Sequence, residues 1–159
     1  MSYKLNKPCT DKQRADFIVK YNHQQGLNIK ETDTALYALE AWEKLEGDEV
    51  VDNTVEYEQE KQQEEKERIA KLSLTRGDVF RGILQAKGVT KEQIAQMIEA
   101  MPATNAEEIL KKELAKIDFE DALNFYRGVE LIDTIGIALG ITPEQLDEFF
   151  ETNDYTKLM

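Results

Sequence analysis

The sequence predicts an α+β chain that is mostly α: a small N-terminal helix with a β-meander, a charged helical linker, and a C-terminal bundle of five or six helices. Three changes of composition predict it. Residues 1–53 mix turn residues, aromatics and β-branched side chains, residues 54–71 are almost purely charged and polar, and residues 72–159 return to apolar side chains at a regular helical rhythm. The domain reading follows the same boundaries, with a leader module over 1–53, a linker over 54–71 and a helical domain over 72–159.

Thr10-Asp11-Lys12-Gln13 reads as a capping box that opens a helix carrying Ala15, Phe17, Ile18, Tyr21 and Asn22. Gly26 ends it as a left-handed cap. Asn28–Glu31 and Ala35–Leu39 read as strands, and Leu45–Glu49 as the turn into Val50-Val51, with Gly47-Asp48 favouring a hairpin. Good helix formers over Thr34–Leu45 support a competing helix. The strand reading is preferred because turn signals bracket the segment and Val50-Val51 needs a partner. Thr54–Leu72 has no Gly or Pro and pairs Glu64 with Arg68 at i,i+4, which predicts a solvated connecting helix without a core face, a partner-induced coiled coil being the other reading.

The remainder reads as helical throughout. Val79, Phe80, Ile83 and Leu84 share one face before Gly88, and Thr90–Gln93 is a second capping box that turns Ile94, Met97, Ile98 and Met101 inward until Pro102. Thr104 or Asn105 caps a helix with Ile109, Leu110, Leu114 and Ile117 at core spacing, followed by Phe119, Ala122, Leu123 and Tyr126 up to Gly128. Leu131, Ile132, Ile135 and Leu139 form the next stripe before Gly140, and Thr142-Pro143-Glu144-Gln145 caps the last helix, with Leu146, Phe149 and Phe150. The stretches from Gly88 and from Gly140 share the pattern Gly, aliphatic, Thr, any, Glu-Gln, aliphatic at a spacing of 140 − 88 = 52. A helix closed by Gly and a next one capped by Thr produce that pattern without duplication and are the preferred reading; an internal duplication is the other.

The 159 residues carry 20 Lys or Arg against 32 Asp or Glu, a net charge of −12, and a pI near 4.6. The charge is spread along the chain: 11 − 16 = −5 up to Ser73 and 9 − 16 = −7 from Leu74. No apolar run approaches the ~18 residues of a spanning helix, and the N-terminus has no apolar stretch of a signal peptide. Bacterial host cytoplasm, or a virion, is the expected location, with no membrane partner. A DNA reader clusters Lys and Arg, whereas the helix after Thr90 offers Lys91 against Glu92 and Glu99, so no nucleic acid is expected.

The chemistry-bearing residues are few. His23 is the one histidine and Cys9 the one cysteine. His23 fits the end of a helix, and Cys9 has no histidine near it in sequence. Asp118, Glu120 and Asp121, and likewise Asp147, Glu148 and Glu151, read as solvated helix faces. Calcium-loop, Glu-x-x-His and phosphate-cradle patterns are absent from the sequence. No catalytic residue, metal site or cofactor is expected.

Tyr3–Pro8, Thr10–Ile18, Ala35–Glu40 and Val50–Asn53 resemble the leader module of small proteins encoded by phages and prophages of Gram-positive bacteria, in which a charged helix and one of several C-terminal segments follow. Leu123–Gly128 with Leu131-Ile132-Asp133, and Phe149–Thr152, look like one of those C-terminal segments. The resemblance implies a modular, non-enzymatic part of tail or virion assembly whose partners are other phage structural proteins, with a homo-oligomer allowed. An acidic phage regulatory or anti-host protein is the alternative. With Leu146 and Phe149 facing the core, Phe150, Tyr155, Leu158 and Met159 are the expected partner-binding patch, rimmed by Glu148, Glu151 and Asp154. The other outcome is a tail folded back over its own domain.

Overall fold

The computed structural model describes residues 2–159, which form an α+β architecture dominated by helix. The chain makes two compact units, one ending at Glu64 and the other running Glu65–Met159.

In the first unit, β3 (Ala35–Leu39) lies between β1 (Tyr3–Asn6) and β2 (Asn28–Glu31), both antiparallel to it. Its five consecutive apolar residues are all buried, which is what a strand covered on both faces requires. Leu36 and Ala38 pack with Phe17 beneath α1 (Asp11–Ile18), whereas Ala35, Tyr37 and Leu39 pack with Leu45 and Val50 of a hairpin, β4 (Glu43–Glu46) and β5 (Glu49–Asp52). The unit is therefore a helix, a three-stranded sheet and a hairpin in three layers, and the competing helix over Thr34–Leu45 does not form. Thr10 makes the capping box with Gln13, and a π-helical turn, Val19–His23, extends α1. β1 has no counterpart among the strands read from the sequence. Lys4 and Asn6 alternate with Tyr3 and Leu5 over too few residues to stand out, and pairing with β3 is what makes them a strand.

Polar contacts lock the layers. Asp48, in the hairpin turn, accepts from the Thr34 hydroxyl at 2.7 Å, the Thr32 hydroxyl at 2.8 Å and the Tyr37 hydroxyl at 3.3 Å, and these bonds hold its pKa below the usual carboxylate range. Glu31 takes Arg14 at 2.8 Å and Lys7 at 3.0 Å; bonding to Arg14 first, then to Lys7, lowers its pKa to about 2.

The charged helix, α2 (Thr54–Ala70), buries no residue, and the boundary between the units falls within it. Its end is docked all the same. The Gly128 amide donates to the Ala70 carbonyl at 3.1 Å, Arg127 N–H to Leu72 at 2.8 Å, and Arg68 pairs with Glu151 at 2.9 Å. A Cβ on Gly128 would stand 2.9 Å from Cβ of Ala70, so this approach requires glycine.

The second unit holds α3 (Arg76–Lys87), α4 (Lys91–Glu99), α5 (Ala106–Asp121), α6 (Glu130–Leu139) and α7 (Pro143–Thr152), closed by a 3-10 turn, Tyr155–Leu158. It is not helical throughout as the sequence suggests. β6 (Ser73–Thr75) and β7 (Asn124–Tyr126) pair antiparallel, Leu74 opposite Phe125. Three-residue strands carry no readable alternation, and the helix-compatible stripe from Phe119 to Tyr126 breaks because Ala122 and Leu123 leave the helical conformation after α5. The expected inward face of α3 loses Leu84, which is exposed, while Gly82 is buried against the Phe149 ring.

The halves β6-α3-α4 and β7-α6-α7 follow one order, and their strands pair with each other. Val79 and Leu131, Ile83 and Ile135, Ile94 and Leu146, and Ile98 and Phe150 are all buried, each pair separated by the 52 residues that separate Gly88 from Gly140. Shared capping chemistry accounts for the Gly and Thr positions. Helical spacing counted from those shared caps accounts for the matching interior positions as well, so the pattern needs no duplication.

Candidate functional site

α5 is capped by Asn105, whose side chain accepts from Glu108 N–H at 2.9 Å, while the Glu108 carboxylate returns to the Thr104 amide at 2.8 Å. The acidic first turn of Glu107 and Glu108 suits the positive end of the helix dipole. Of the face that α5 turns to the core, Ala115 and Phe119 are buried, and the Phe119 ring meets Phe80 at 5.4 Å.

The residues expected inside, Ile109, Leu110, Leu114 and Ile117, are instead 48–59% exposed. Leu110, Leu114 and Ile117 stand at i, i+4 and i+7, a continuous stripe on the side of the helix away from Ala115 and Phe119. Two faces of α5 have apolar side chains at helical spacing. The aromatic ring of Phe119, tilted against Phe80, which in turn meets Phe125 edge-on, decides which face goes inward.

Charge pairs hold the perimeter of α5. Lys116 reaches Glu99 of α4 at 2.9 Å, Lys112 donates to the Glu99 carbonyl at 2.5 Å, Lys111 pairs with Glu130 of α6 at 3.2 Å, and Arg76 donates to the Glu120 carbonyl at 2.5 Å. The hydrogen bond from Lys116 leads in holding the Glu99 pKa below the carboxylate range, and the bonds to Glu99 and Glu130 raise Lys116 and Lys111. A groove beside the stripe is lined by Leu114, Lys111 and Asp118 of α5, by Leu131 and Glu130 of α6, and by Met101.

The predicted C-terminal patch is divided by the structure. Phe150 and Leu158 lie in the core, Leu158 with no exposed surface at all, against α3 and α7. Tyr155 and Met159 remain at the surface, Met159 63% exposed. The 3-10 turn folds the tail back: Asp154 caps it by accepting from Thr156 N–H at 2.9 Å, and Gln145 Nε2 donates to the Met159 carbonyl at 2.6 Å. Phe150 and Leu158 are thus interior packing residues, because the short unit has few other large side chains to close the end of α7.

The carboxylate clusters dissolve into separate pairs. Asp147 takes Arg127 at 2.6 Å, Glu148 takes Lys157 at 3.0 Å, and Glu151 takes Arg68. Arg127, 7% exposed, also reaches Asp133 at 2.7 Å and so ties the segment after β7 to both α6 and α7. This staple was not legible in the sequence, where Arg127 follows an aromatic run without any charged neighbour. His23 ends the π-helical turn on the surface and Cys9 packs half-buried beside the first unit's helix-side core. Among the described residues, no three His, Cys, Asp or Glu side chains are grouped to hold a metal, and no helix is long and apolar enough to cross a membrane.

Comparison with protein-family models, with curated proteins and with solved structures finds no match to this chain.

Proposed function

We propose that this chain is a non-enzymatic phage or prophage protein that binds another structural protein of the tail or virion during assembly, using the outward face of α5. The observation that carries the binding role is the stripe of Leu110, Leu114 and Ile117, uncovered in a helix whose other face already fills the core. Apolar surface concentrated in one stripe with charges on its borders is how interaction sites are built. The phage assignment rests on the likeness of Tyr3–Pro8, Thr10–Ile18 and Val50–Asn53 to the phage leader module. Host cytoplasm during assembly is the location this reading implies.

The test is co-expression of the full chain with each product of the genes flanking it. A tail protein that co-purifies with the wild type and is lost with Leu114→Glu, but retained with the exposed-site control Ile137→Glu, supports the reading. Retention by both variants, or flanking genes of a repressor and integrase with no tail protein captured, overturns it.

A further inference from the structure

We infer that the first unit carries a slot for one added β-strand, built to take an extended segment that alternates apolar and acidic side chains. β2 pairs on one edge with β3 and, among the described residues, on its other edge with no strand. Beside that edge runs an open groove of about 870 Å³, within the ~300–1,000 Å³ of clefts that take ligands. Its walls come from two different layers. Ile18 and Asn22 belong to the helix layer, whereas Lys44 and Leu45 belong to the hairpin layer. Both layers thus flank the position where a fourth strand would lie, ~4.8 Å from β2. Open main-chain donors and acceptors on the edge of β2 call for an extended chain rather than a helix.

The register of β2 states what that chain should carry. Ile29 stands opposite Ala38 and packs on the helix side, while Lys30 stands opposite Tyr37, on the hairpin side. A strand entering the slot would present alternate residues to an apolar wall of Ile18 and Ile29 and to a wall bearing Lys30, Lys44 and Glu43, whose carboxylate already accepts from the Glu40 amide at 2.9 Å, which leaves Lys30 as the charge that faces the guest. Lys30 has no ion-pair partner among the described residues, whereas Lys44 already holds Glu46 and Glu56. A lysine on an edge strand deters indiscriminate pairing, and here it also selects carboxylates. The proposal uses a different part of the chain from α5 and stands apart from the assembly reading.

Hydrogen–deuterium exchange on the full chain, with an eight-residue peptide alternating Val and Glu, tests it. Expected are slower exchange over Asn28–Glu31 and at least tenfold weaker binding of an alternating Val and Lys peptide. Lys30→Glu, an exposed change, should reverse that preference without altering the melting temperature. Two versions of the acidic peptide, N-methylated at odd or at even residues, should behave differently, because an added strand pairs through one edge: one version binds and the other does not. Equal behaviour of the two, no protection over Asn28–Glu31, or no binding at millimolar peptide overturns the proposal. Protection of the same amides that rises with protein concentration alone also overturns it, in favour of pairing between two copies.

Discussion

α7 and α5 belong to the same unit and differ in what covers them. The apolar residues of α7, Leu146, Phe149 and Phe150, are all buried, and the chain's own C-terminal turn closes over them with Leu158. α5 buries Ala115 and Phe119 and leaves four larger aliphatic side chains in water. The two also differ in the balance of forces: α7 combines three buried apolar side chains and a buried arginine with the surface pairs Glu148–Lys157 and Glu151–Arg68, whereas α5 sets little more than Ala115 and Phe119 beside its lysine–carboxylate pairs. Burial of a large aliphatic side chain is worth roughly 1.5–3 kcal/mol, whereas exposed ion pairs contribute about 0–1 kcal/mol each. α7 is therefore built as part of the scaffold, and α5 as a helix with an unused face.

The largest expected effect is on the α7 side. Truncation after Thr152 removes Leu158 from the core and should cost at least the ~2–5 kcal/mol of a buried Leu→Ala change, read as a drop in thermal stability of the second unit. Unchanged stability would break the comparison and return the tail to the role of an interaction patch. Next comes Arg127→Ala. Breaking a buried pair costs about 3–5 kcal/mol, but Asp133 and Asp147 keep contact with water, so a loss of roughly 2–3 kcal/mol in denaturant unfolding is expected. A loss under about 0.5 kcal/mol would show that the staple is a surface pair.

On the α5 side, Leu114→Gln should leave stability within ~0.5 kcal/mol of wild type, the range for surface changes, while abolishing capture of the partner proposed above. A loss of 2 kcal/mol or more would mean that Leu114 is a packing residue and that the stripe has no separate role.

These two regions also show what the sequence could and could not disclose. Element types were legible wherever local chemistry decides them: Thr10, Thr90 and Thr142 with Gln three residues on, Gly88 and Gly140 in the left-handed region, and the all-apolar β3. What lay beyond it was set by contacts distant in sequence. Helical spacing in α5 marks two apolar faces, and only the Phe80–Phe119 contact across the fold chooses between them. Phe150 and Leu158 read as surplus because the α3 surface that receives the tail lies some 70 residues upstream. The β6–β7 pairing and the reach of Arg127 to Asp147 are likewise non-local. For the candidate site this was decisive: the residues of the stripe were identified, and their direction was not.

The smallest expected effect isolates the charge pairs that hold α5. Glu99 faces Lys112 and Lys116, and its pKa lies below the ordinary carboxylate value, through the Lys116 hydrogen bond first. A depressed carboxylate pKa contributes stability that is complete above the unfolded value, ~4.3 for glutamate, and is lost as pH falls through the folded value. Between pH 7 and 5 the pair should therefore not change, and below pH ~4.3 the amides of α5 should exchange faster while those of α7, held by packing, change less. Salt should act in the same direction by screening the exposed pairs. Glu99→Gln removes the titrating group and should make the acid response of α5 shallower, with α7 unaffected. If α5 and α7 lost protection together across that pH range in the wild type, the unit would open as one cooperative body, and charge would not be what distinguishes the attachment of α5.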